Sequence, residues 1–363
     1  MSIYLTTIFI TLFISIVTDF VINISKEKKN IIRGIGLMIA SIPPVLLGGL
    51  RYFVGTDYST YVQFQFPLVL SKQDSSFKVV GPLTQGIIFL GSKLEALLGS
   101  LGSVQYQWIF FLLNMVLVGF IFGGIYKLCE KITLPLLFFY ISYFFFLSFN
   151  LMRQGVAVSI FFFALCYLLN GDWKKYFFWC LIAMGFHTSA IIYFPLYFMR
   201  YLKNVKALGL LVPIVGYIVA IPIGKVIGNI VSTVIDNYSA YTAIDYAQWN
   251  ARSDMIVTYI TLLIYYYMFK QGTNRQAFIY WTQVLTTFFP FVGSGLPQTT
   301  RLTFEFMLLL MISVPEIYRV KRFKKGFRLL IIFILICLYS FYTYWQIANG
   351  RAGLLPYHAV FTF

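Results

Sequence analysis

Hydrophobic residues in this chain fall into long runs from end to end, and polar residues are confined to short connections between them. Runs such as Ile3 to Asn23, the stretch ending at Leu50, Leu302 to Tyr318 and Leu329 to Ile347 approach the roughly 20 apolar residues that carry a helix across a bilayer. The pattern predicts an all-α, polytopic integral membrane protein whose residues 1–363 form a single membrane domain, with no soluble domain, linker or internal repeat. Ile3 to Asn23 has no basic leader or small-residue cleavage site and contains Asp19, so it reads as a retained helix.

Two runs break the pattern. Gly81 to Ser100 carries Thr84, Gln85, Lys93 and Glu95 with apolar residues at helical spacing, as an interfacial helix does. Tyr176 to Met199 is flanked by Lys174 and Lys175 on one side and by Arg200, Lys203 and Lys206 on the other; both flanks prefer the cytoplasm, which predicts a re-entrant segment with His187 near its turn. About ten full crossings follow if both segments are partial, and about twelve if both cross. The positive-inside rule favours the first. It places Lys26 to Lys29 with Arg33, Lys270 to Arg275 and the basic run Arg319 to Arg328 inside. Arg51 to Tyr61, Asn150 to Gln154, Asp236 to Asp254, Arg301 and the C-terminal tail then face outside.

Composition sharpens this picture. The chain is 60% hydrophobic and 11% charged, where soluble domains carry about 25% charged residues. The net charge of +16 comes from Lys and Arg in the connections, which reports topology and anionic headgroups and not a nucleic-acid partner. Cys129, Cys166, Cys180 and Cys337 lie in or beside apolar runs without pair spacing, so neither disulfides nor a metal site is expected.

In so uncharged a chain the outer arginines stand out. Arg51, Arg153, Arg301 and Arg351 sit at outer ends of predicted helices, where the positive-inside rule disfavours them. A guanidinium grips phosphate oxygens two at a time, so arginines at this level suit a phosphate or diphosphate held at the headgroups. Arg51 and Asp57 either pair with each other or serve such a ligand. His187, beside Thr188 and Ser189, is a packing residue or a catalytic one; His358 is the weaker candidate. The outer segment with Tyr238, Tyr241, Tyr246, Trp249 and Arg252 is an interfacial aromatic belt or a surface for sugar faces. No P-loop, nucleophile elbow, metal-ligand spacing or Asp-x-Asp pair occurs.

The order of RYFVGTDYSTY at Arg51 to Tyr61, NLMRQGVAV at Asn150 to Val158, GFHTSA at Gly185 to Ala190, an outer Arg301 and the terminal PYHAVF resembles the EpsG family of bacterial Wzy-type polysaccharide polymerases. The match is most specific at Arg51, Gly55, Asp57 and Tyr61, at Arg153, Gln154 and Ala157, and at His187, Ser189 and Ala190. Val79 to Gly86 departs from it, lacking the acidic residue expected before the interfacial helix. The absence of an Asp-x-Asp pair favours a metal-independent reaction on an already activated donor, and no cofactor is expected. The resemblance implies a glycosyltransferase in the bacterial inner membrane, facing the periplasm or cell exterior. It would move a growing glycan from undecaprenyl diphosphate to the next lipid-linked repeat unit. Catalysis is expected at Arg51, Asp57, Arg153, His187 and Arg301, with Asp57 or His187 as base. Substrate binding is expected at Tyr58, Tyr61, Asn150, Gln154, Tyr246, Trp249, Arg252, Arg351 and Tyr357. The implied partners are the undecaprenyl-diphosphate-linked oligosaccharide, membrane lipids and a chain-length regulator. A lipid-linked oligosaccharide flippase, an O-antigen ligase and a membrane acyltransferase built on His187 are the alternatives.

Overall fold

The computed structural model describes residues 1–25, 27–72, 80–102, 104–234, 245–293 and 300–361, with side chains left undescribed at 224–234, 245–251 and 300. The chain divides into two compact units, residues 1–197 with 343–363, and residues 198–342. Among the described residues almost everything regular is helical, and five helices are long and apolar enough to cross a membrane.

The first unit opens with α1 (Ser2–Ile24) and α2 (Lys29–Gly49), joined by a connection too charged to enter hydrocarbon. The burial of α1 is inverted relative to a soluble helix. Thr7, Thr11, Ser15 and Thr18 are buried, while Phe9, Phe13, Ile16 and Phe20 are exposed. Small polar residues let helices approach closely and bond one another, and large apolar ones meet lipid. Gly36 of α2 lies against Thr18 with no room for a side chain, and the Thr11 hydroxyl lies 2.9 Å from that of Tyr140. Asp19 has a local purpose: its carboxylate accepts from the Ile132 and Thr133 amides and the Thr133 hydroxyl, capping α5 (Thr133–Ile141).

Between α2 and α5 run a short helical segment from Tyr58 to Leu70, α3 (Pro82–Leu98) and α4 (Gln107–Leu128). The expected interfacial segment is α3. Its Glu95 accepts from the Tyr106 amide at the head of α4, and Gly91 lies against Ile109. After α5 a left-handed Tyr143 ends the helix and α6 (Phe144–Leu147) restarts it, so one apolar run becomes two short pieces. The central helix α7 (Met152–Asn170) is the most enclosed of the long ones; Phe161 stacks on Tyr193 with ring centroids 4.0 Å apart.

The run with basic residues on both flanks folds back on itself. Helix α8 (Trp173–Phe186) ends at His187, a 3-10 turn follows over Thr188–Ile192, and α9 (Tyr193–Met199) returns. The Tyr176 hydroxyl donates to the Tyr193 carbonyl at 2.6 Å, and Phe177 packs on Phe194 and Tyr197. The two arms form a hairpin with His187 at its turn. The head of α3 abuts its tip, where the Thr84 hydroxyl donates to the Phe186 carbonyl.

The second unit contains α10 (Leu208–Val234), α11 (Asp245–Phe269), α12 (Asn274–Gly293), α13 (Thr300–Met307), α14 (Leu310–Tyr318) and most of α15 (Lys325–Ala348). Internal hydroxyl and amide bonds join its helices, including Tyr265 to Ser313, Thr261 to Tyr339 and Gln283 to the Thr258 carbonyl. Glu316 pairs with Arg275 and Arg319. The single expected crossing Leu302 to Tyr318 is again two helices, α13 and α14.

Candidate functional site

The head of α4, the segment after α2, the loop before α7 and the C-terminal tail are woven together in the first unit. Strand β1 (Arg51–Tyr52) pairs antiparallel with β2 (His358–Ala359), with Arg51 opposite Ala359. The Gly55 amide donates to the Gly353 carbonyl at 2.9 Å, and the Asn150 side-chain amide donates to the Ala352 carbonyl at 3.1 Å. Gly55 has φ +105°, and a Cβ there would stand 2.6 Å from Asn150 Oδ1, so only glycine fits. Gln107 binds the Gly49 and Arg51 carbonyls from the head of α4. The Tyr357 hydroxyl donates to the Leu47 carbonyl at 2.8 Å.

Arg51 lies inside this knot, 1% exposed. Its guanidinium sits 4.4 Å from the Phe149 ring centre and 5.2 Å from that of Phe110, with Nη2 at 2.8 Å from Met152 Sδ. Nε and Nη1 make no hydrogen bond among the described residues, and no ion pair joins Arg51 to Asp57. A cavity of about 10 Å³, lined by Arg51, Asn114, Ser148 and Met152, adjoins it, room for about one water. Burial pulls the guanidinium pKa down to about 10, still charged at neutral pH. Aromatic faces contribute about 2 kcal/mol to a desolvated cation, whereas a buried charge without a counter-ion costs several. Stability alone gives no reason to place arginine here.

Tyr61 links this buried charge to its neighbours. Its hydroxyl donates to the Asn150 carbonyl at 2.5 Å and accepts from the Met152 amide at 3.3 Å. Burial pushes its pKa up, Arg153 and Arg51 pull it down, and Asp57 raises it further. Arg153, in the first turn of α7, is half-buried, and so is Asp57, whose carboxylate lies 3.2 Å from the Thr56 hydroxyl; Gln154 is buried. Tyr58 stacks on Phe110 with centroids 4.6 Å apart. Half-buried Arg351 faces the Tyr143 ring at 6.0 Å.

His187 occupies the hairpin tip. Its Nδ1 accepts from the Ser189 amide at 3.2 Å and lies 2.8 Å from the Ser189 hydroxyl. Accepting that N–H uses the Nδ1 lone pair, so the neutral ring carries its proton on Nε2 and presents a donor.

The structure therefore gathers Arg51, Asp57, Tyr58, Tyr61, Asn150, Arg153, Gln154, Arg351 and Tyr357 into one unit, which also contains His187. Arg252 and Arg301 belong to the second unit, and both are exposed. The backbone of Tyr246 and Trp249 is in α11, but their side chains lie outside the described ones, as Asp236, Tyr238, Tyr241 and Val79 lie outside the described residues. Exposed His358 serves through its backbone in β2. Sequence reasoning missed Phe110, Phe149, Met152, Gln107 and the Ala352 and Gly353 carbonyls. Gln107, an amide heading an apolar run, was the one visible signal; rings and carbonyls look alike everywhere in such a chain.

Compared with protein-family models, residues 34–359 match the EpsG family. The chain belongs to the EpsG family. Neither the curated proteins nor the solved structures searched contain a match. The matched span begins within α2 and ends at Ala359 of β2, so it includes every strand and loop of the knot around Arg51.

Proposed function

We propose that this EpsG-family protein is a polysaccharide polymerase, transferring a growing glycan from undecaprenyl diphosphate to the next lipid-linked repeat unit at the outer face of the bacterial inner membrane. The observation that carries the reading is the buried guanidinium of Arg51, enclosed by Phe110, Phe149 and Met152 where the Tyr61 hydroxyl holds the loop that leads into Arg153, in a chain of the EpsG family. An acceptor hydroxyl attacks the anomeric carbon, the bond from that carbon to the diphosphate oxygen breaks, and the hydroxyl proton passes to a base.

Negative charge then grows on the departing oxygen, and a fixed cation there stabilises the transition state more than the ground state. Arg153 takes that role, because it is half-buried at the start of α7 whereas Arg51 is enclosed. Arg51 supports it from within, holding the loop at Phe149 and Met152 that leads into α7. Asp57 is the base. His187 is the donor, since Nδ1 is already engaged.

The test uses surface polysaccharide from a strain lacking the gene, complemented with variants at equal membrane abundance. Arg153→Ala and Asp57→Asn should each leave a single capped repeat unit in place of the long ladder. A full ladder from either variant would remove that residue from the mechanism. Loss of even the capped unit in the deletion strain would point to export or ligation instead.

A further inference from the structure

Helices α10 and α12 of the second unit line a groove of about 500 Å³, walled by Leu211, Val215, Val219, Ile223, Phe288, Val292 and further apolar or glycine neighbours, with no polar side chain among them. The α10 wall is open, with Leu211, Val215 and Val219 exposed. In a bilayer such a hollow is filled by hydrocarbon, because neither water nor a polar group is accommodated there.

One end of the groove is marked by charge. Lys203 and Lys206 are exposed in the loop leading into α10, and neither makes an ion pair among the described residues. From Phe198 to Ile235 and throughout α12 the sequence contains no acidic residue. The loop is pinned to the second wall of the groove. The Tyr280 hydroxyl donates to the Lys206 carbonyl at 2.8 Å, and Trp281 Nε1 donates to the Asn204 carbonyl at 2.9 Å. Tyr280 precedes Phe288 by about two turns of α12, roughly 12 Å, so the lysines stand at one mouth of the hollow.

We propose that this groove holds one anionic glycerophospholipid, with an acyl chain between α10 and α12 and the phosphate on Lys203 and Lys206. The chain fills what bulk lipid would fill loosely, and the lysines select the charge of the headgroup. By the positive-inside rule the site belongs to the cytoplasmic leaflet. It stands apart from the proposed transfer chemistry, and its test reads lipid and not polymer.

Delipidated full-length protein would be titrated with phosphatidylglycerol or phosphatidylcholine and the bound lipid counted by native mass spectrometry. A gain of about fivefold for phosphatidylglycerol per lysine is expected. Lys203→Gln with Lys206→Gln should bind both lipids equally, and Val215→Trp should bind neither, with unliganded thermal unfolding unchanged. Should the tryptophan variant not fold, the loop variant alone decides. Equal retention of the two lipids by the wild type, or an undiminished preference in the double variant, would overturn the proposal. Displacement of phosphatidylglycerol by equimolar polyprenyl phosphate would overturn it too.

Discussion

Arg51 shows how far a residue's meaning depends on its surroundings. Its position after an apolar run raised two readings, a pair with Asp57 or an anion ligand, and the structure provides neither an ion pair nor exposure. An apolar side chain of similar length at this position removes a desolvated charge that has no counter-ion. Arg51→Met is therefore expected to keep or raise thermal stability in detergent while the polysaccharide ladder disappears. A ladder of normal length from that variant would reduce Arg51 to packing. Gly55 fails differently. Its positive φ costs an alanine about 1–2 kcal/mol before the contact with Asn150 is counted. Gly55→Ala should lower both thermal stability and polymer yield, and Asn150→Ala in the same chain should restore part of the stability.

At the scale of elements, the hydropathy pattern foresaw helices well and their interruptions poorly. The inverted face of α1 and the hairpin turning at His187 follow from residue type and from basic flanks, both visible in one dimension. The breaks at Tyr143 and between α13 and α14 were not visible, because apolar runs continue across them and backbone bonds are redirected without a change of composition. Capping residues belong here too. Asp19 reads as an oddity in a membrane helix until the amides of Ile132 and Thr133 are found beside it. Asp19→Ala leaves those amides without their acceptor and is expected to cost about 1–3 kcal/mol. Thermal unfolding in detergent checks this, and a shift no larger than that of a lipid-facing Phe13→Ala would refute the capping role.

Across the whole molecule, the C-terminal tail is what closes the candidate site. It supplies β2, the carbonyls of Ala352 and Gly353, and the hydroxyl of Tyr357 to segments some two to three hundred residues earlier in the chain. A stop codon replacing Gly350 should yield a protein that reaches the membrane in normal amount yet extends no polymer; blotting the membrane fraction beside the polysaccharide gel checks both. An intact ladder would show that the knot around Arg51 is dispensable. The amino-acid sequence by itself determined the membrane class, the helical architecture, the family and the residues worth suspecting, because hydrocarbon imposes length, apolarity and charge placement on each segment locally. Which suspects share a unit, which guanidinium is enclosed and which half-buried, and which nitrogen of His187 is engaged were decided only by tertiary structure. The first two depend on contacts between segments far apart in the chain, which no local pattern encodes in a sequence this uniformly apolar; the engaged nitrogen of His187 is set by its turn with Ser189, whose geometry the sequence leaves open.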